Sequence, residues 1–158
     1  MIRKWPILVT AIVLLGLVSG CGLFKKEENP AQWVARFLAL EQRGDYGSSW
    51  EMLHPEIRQM WPKEMYIQQR ARIFMDVLGA RAFTYETGEV RKLDDWISPS
   101  SGHTFTDVYL VPTKLTFSSP FGTMSLLQNY YVVDGETQRY ILWDIHPEWS
   151  TGKHAPDE

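Results

Sequence analysis

The sequence predicts an α+β domain with its helices first and an antiparallel sheet after them. Three observations carry that reading. Up to Gly79 the apolar residues recur at helical spacing behind clear start signals. Beyond Gly79 the chain turns rich in aromatic and β-branched residues, broken by turn-forming stretches. The two kinds of segment do not alternate, which argues against βαβ units and for segregated helices and strands.

The first helix is expected to start at Asn29-Pro30-Ala31-Gln32. Asn caps, Pro suits the first helical position, and Gln three residues on reaches back to the cap. Trp33, Val34, Phe37, Leu38 and Glu41 then follow the helical period, four of the five apolar, and Gly44 stops the helix. Asp45 caps a second helix that carries Tyr46, Trp50 and Leu53 up to Pro55. Pro55 and Pro62 read as first-turn prolines of two more. The longest is expected over 62–78, with Tyr66, Ile73, Phe74, Val77 and Leu78 as its apolar face.

Strands are expected over 83–90, 104–117, 123–133 and 140–145, with a loop over 94–102 around Ser98-Pro99-Ser100-Ser101-Gly102. Pro112 should bend the long second strand or place it at an edge, since proline cannot donate to a ladder. Residues 118–122 turn the chain, and Asp134-Gly135 is a hairpin signal.

Ahead of the domain, Arg3 and Lys4 form a positive segment, residues 7–17 a short apolar run, and Val18-Ser19-Gly20-Cys21 a small-residue site ending in the only cysteine. The run is shorter than the roughly 20 residues that span a bilayer. This stretch resembles a bacterial lipobox. The resemblance implies cleavage before Cys21, thioether-linked diacylglycerol on it, and lipid anchoring outside the cytoplasm. The expected organisation is a signal peptide over 1–20, a tether over 21–29, one domain over 30–149 and a polar tail over 150–158. Residues 22–29 reach at most roughly 28 Å, which keeps the domain near the bilayer.

Cleavage leaves 138 of the 158 residues, enough for one core. Losing Arg3 and Lys4 lowers the basic residues from 16 to 14 against 19 acids, a formal charge of −5. That balance argues against nucleic acid as a partner. An acylated Cys21 removes disulfides, thiol nucleophiles and thiolate metal ligands from consideration.

The domain also resembles the nuclear transport factor 2-like N-terminal, non-catalytic domain of MecA-type penicillin-binding proteins. Three segments carry the resemblance. They are Phe37-Leu38 through Gly44-Asp45-Tyr46 to Trp50; Ile73-Phe74 through Leu78-Gly79; and Phe121-Gly122-Thr123-Met124 through Tyr131-Val132-Val133-Asp134-Gly135 to Trp143-Asp144 and Pro147. It implies a curved-sheet cone covered by helices, acting as a spacer or binding module rather than an enzyme. In the family a transpeptidase domain follows; here none is expected. Ser150-Thr151-Gly152-Lys153 spells S-x-x-K but lies in the tail without the S-D-N and K-T-G partners of acyl-serine enzymes. No acylation by penicillin is expected.

Other chemistry is sparse. Asp144 and His146 alternate on one strand face and form a candidate acid–base pair, as in cone-fold hydrolyases and isomerases. Ile141, Trp143 and Ile145 hold the opposite, more apolar face, which leaves the pair near a rim. Trp33, Phe37, Trp50, Phe74, Tyr109, Tyr130 and Trp143 are candidates to line an apolar ligand pocket, or to fill the core. His54, His103 and His154 lack metal-ligand spacing, and no metal or cofactor is expected. Glu86, Glu89, Asp94 and Asp95 are interleaved with Arg91 and Lys92 and read as a solvated edge. The leading expectation is a lipid-anchored module that binds or positions an envelope protein partner; a cavity enzyme and a carrier of an apolar ligand are the alternatives.

Overall fold

The computed structural model describes residues 28–73, 83–119 and 122–143. Four helices lead: α1 (Pro30–Gln42), α2 (Tyr46–Glu51), α3 (Pro55–Met60) and α4 (Lys63–Arg72). Five strands follow: β1 (Phe83–Thr87), β2 (Arg91–Ile97), β3 (Thr104–Ser119), β4 (Gly122–Asp134) and β5 (Arg139–Leu142). The α+β order stands as the sequence predicts.

The helix punctuation acts as its chemistry dictates. Asn29 accepts the Ala31 amide at 3.0 Å while its own amide donates to Gln32 Oε1 at 3.2 Å, closing a capping box. After the Arg43 cap, Gly44 takes φ +75°, the left-handed bend that lets the chain leave the helix. Asp45 accepts the Ser48 amide at 3.2 Å and caps α2. Pro55 opens α3 as its first residue, whereas Pro62 stands one residue outside α4 as its cap. The helix expected over 62–78 is described as α4 to Arg72, and Phe74, Val77 and Leu78 lie outside the described residues.

The sheet is antiparallel and open, in the order β1-β3-β4-β5, with β2 on the same side of β3 as β1. The long β3 is its spine. β1 pairs with residues 113–117 of β3, β2 with residues 104–110, and β4 with residues 109–119. Residues 94–97, expected as loop, belong to β2. Their charges masked the strand: only Leu93 and Trp96 of β2 are even half-buried, so alternation is faint. Pro112 is at neither an edge nor a bend. It sits in the spine where β3 changes partner from β2 to β1, and its carbonyl accepts the Gly88 amide at 2.7 Å. N–H and C=O of one strand residue point the same way, so the missing N–H faces the gap between the two partners.

One face of the sheet carries the helices. Val111, Leu115, Phe117, Tyr130, Val132 and Ile141 meet Trp33, Val34, Phe37 and Leu38 of α1, together with Leu53, Ile57, Trp61 and Tyr66. The opposite face holds a smaller cluster of Phe105, Val108 and Leu142 with Trp96, Tyr131 and Val133 beside them. The α2–α3 link is tied to β5: Ile141 donates to Met52 O at 2.8 Å, and His54 donates to Ile141 O at 2.9 Å. The strand expected to reach residue 145 ends at Leu142, and Asp134-Gly135 opens a longer turn in which the Gly135 amide donates to Gln138 O at 2.9 Å. Among the described residues no helix is long and apolar enough to cross a membrane.

Candidate functional site

The fifth position of the α1 period, Glu41, is the centre of a buried polar constellation. Its neighbours on that face are apolar, so the helix carries the carboxylate inward with them, and its side chain is 0% exposed. Such a charge needs partners. Arg70 of α4 donates from Nε to Glu41 Oε2 at 2.5 Å. Tyr66, one turn earlier on α4, donates its hydroxyl to Oε1 at 2.8 Å. Ser49 of α2 donates to the same oxygen and lies 3.2 Å from Tyr66 Oη. Three helices therefore meet on one carboxylate. The Arg70 guanidinium also lies 4.7 Å from the Trp143 ring centroid, which joins the constellation to the end of the sheet.

The phenols here are held neutral. Burial pushes Tyr66 well above the ordinary phenol range, and Glu41 beside it adds to the rise. Burial likewise raises Tyr130, with Arg70 opposing. Neither is placed to give up a proton near neutral pH. Nothing in the sequence flagged Tyr66 or Arg70 as partners of Glu41; only the acid's place in an otherwise apolar period hinted at it.

Of the seven aromatic pocket candidates, three come together. Phe37 lies 5.9 Å from both Tyr130 and Trp143, and Tyr130 and Trp143 are 6.1 Å apart. Their rings pack directly on one another and fill the core. Trp33 is buried at the base of a cleft of about 790 Å³ between α1 and the β4–β5 turn, with Arg36, Asp134, Glu136 and Arg139 among its walls. Tyr109 lines a second cleft of about 510 Å³ with Lys92, Asp107 and Asp134. Both clefts are walled by charges, and among the described residues neither gathers the candidates into one apolar pocket. Trp50 is elsewhere again: its indole N–H donates to Trp61 O at 2.8 Å, and Arg58 and Lys63 lie over its ring. Phe74, Asp144, His146 and Cys21 lie outside the described residues.

A second polar cluster joins α3 to the β2–β3 loop. His103 Nδ1 is 2.7 Å from Glu56 Oε2, and Ser101 donates to the other oxygen. His54 accepts the Glu56 amide on Nδ1 at 3.3 Å and caps α3. Burial lowers the His54 pKa, with Glu56 opposing. The Ser101 hydroxyl and the His103 ring both bond the Glu56 carboxylate, and Ser101 Oγ also accepts the His103 amide at 3.3 Å, so the imidazole is engaged by the acid and not by the serine hydroxyl. Among the described residues no group of three or more His, Cys, Asp or Glu is placed to hold a metal ion. No family model and no curated protein matches this chain.

Proposed function

We propose that this chain is a lipid-anchored, extracytoplasmic module that works by contact at the cell envelope rather than by turnover. The observation that carries the reading is the state of Glu41. Both its oxygens are engaged by Ser49, Tyr66 and Arg70 of its own chain, inside the core. A carboxylate so occupied clamps helices together and is not poised to take a proton from a substrate. The lipobox-like Val18-Ser19-Gly20-Cys21 supports the anchor, and the place of Glu28, a residue of the proposed tether whose carbonyl accepts from Arg139, supports a membrane-facing end at the β4–β5 turn. Helices on one face of an open antiparallel sheet are consistent with a nuclear transport factor 2-like cone of the MecA N-terminal type. In this reading the lipid confines the domain to a thin layer, which raises its effective concentration towards an envelope protein and lets a weak interface be occupied.

The test compares two variants in cells lacking the native protein. Cys21→Ala, which frees the domain from the membrane, is expected to abolish rescue. Asp144→Asn with His146→Ala on the anchored form is expected to leave rescue intact. Full rescue by the soluble variant with failure of the double variant would replace the contact role by cavity catalysis.

A further inference from the structure

The outer edge of β4 is built to pair with another strand. β5 covers only residues 131–134 of β4. Among the described residues no strand pairs with residues 123–129 on the side away from β3. This edge lacks the devices that keep sheets apart. Residues 115–133, from Leu115 of β3 to Val133 of β4, contain no Asp, Glu, Lys, Arg or His. Residues 123–129 contain no proline.

The edge also exposes apolar side chains among its uncharged polar ones. Met124 and Leu126 stand opposite Phe117 and Leu115 on the helix-bearing face, yet are 48% and 49% exposed. Leu127, on the other face, is 81% exposed. A strand laid alongside would therefore find Met124 and Leu126 on one face and Leu127 among small polar side chains on the other, while its amides joined the ladder.

We propose that the occupant is a second copy of this chain, paired antiparallel through β4 about a two-fold axis at Leu126. Leu126 is the midpoint of residues 123–129, so a two-fold there uses the whole stretch. It sets Leu126 against Leu126 of the other copy, Met124 against Gln128, Ser125 against Leu127 and Thr123 against Asn129. Each of these pairs keeps to one face, because a two-fold perpendicular to the sheet preserves the strand's alternation. Self-pairing of a charged edge sets like charges together; this edge has none to oppose. The product is one continuous sheet across two domains, with their helices on the same side. A seven-residue contact, roughly 20 Å long, lies at the small end of specific interfaces, so the dimer is expected to be weak in solution and reversible. The pairing stands apart from the anchor and the contact role, and its failure leaves both open.

Residues 21–158 carrying Cys21→Ala test it by light scattering across a concentration series. The mass should climb from monomer towards dimer. Leu126→Lys and Leu126→Glu should each stay monomeric where the parent is half dimer, with unchanged circular dichroism. An equimolar mixture of the two should associate again, because the axis then sets Lys against Glu. A parent that is monomeric throughout overturns the proposal. So does failure of the mixture to associate. Slow hydrogen exchange in the monomer at those amides of residues 123–129 that point away from β3 also overturns it, since the chain's own remaining residues would then cover the edge.

Discussion

Glu41 shows how one side chain sets the stability of the helical half. Removing one member of a buried ion pair leaves the other charged and unsolvated, at a cost of about 3–5 kcal/mol. Glu41→Ala is therefore expected to lose that much in urea unfolding, because Arg70 stays behind with a side chain 9% exposed. A loss below about 1 kcal/mol, the range of surface changes, would mean that the constellation is not the clamp described. Glu41→Leu combined with Arg70→Met removes both charges and should recover part of the loss. His54 gives a pH dependence. Its pKa is lowered in the fold by burial, and its Nδ1 accepts the Glu56 amide, a role the protonated ring cannot fill. The unfolded chain then binds the proton more readily, so His54 supports the fold above its ordinary pKa and the support is lost as pH falls below it. His54→Asn keeps a capping acceptor without the titration. It should flatten the melting temperature between neutral and mildly acidic pH; an unchanged slope would assign that dependence to other groups.

Elements differ in how openly the sequence declared them. α1 was legible down to its capping box, because its signals are local: Asn29, Pro30 and Gln32 act on their own backbone. Its inward face was legible too, Glu41 included, but the partners of Glu41 lie 8, 25 and 29 residues away and leave no mark on periodicity. β2 was missed because its exposed charges hide a strand whose reason to exist is the bare edge of β3. Pro112 misled because its effect depends on which strands lie beside it. The aromatic candidates were read correctly as inward-facing in Phe37 and Tyr130, but composition does not say whether rings enclose space or fill it. The β4–β5 turn supplies the test at this scale. A Cβ on Gly135 would meet Tyr140 Cε2 at 2.5 Å and Gln138 O at 2.9 Å. Gly135→Ala should destabilise the fold by about 1–3 kcal/mol, as overpacking does, read by thermal unfolding. Trp143→Ala belongs here as well. Trp143 packs on Phe37, Tyr130 and Trp61 while staying partly exposed, so its loss should fall at the low end of about 3–5 kcal/mol.

At the scale of the molecule the two ends differ. Glu28 lies beside Arg139, which pairs with Asp134, at the charged β4–β5 turn. The uncharged β3–β4 hairpin runs the other way, and β4 spans roughly 40 Å between the two ends at strand rise. A domain held by the proposed tether over 21–29 would offer its charged clefts near the anchor and its bare sheet edge far from it. That polarity gives meaning to confinement only if the anchor exists, so lipid on Cys21 is the claim on which the account turns. Mass spectrometry of the membrane-bound protein is the direct measurement. The account predicts an N-terminal peptide beginning at Cys21 and carrying diacylglycerol. A free thiol at Cys21, or an uncleaved residue 1–20 segment on the isolated protein, would contradict it.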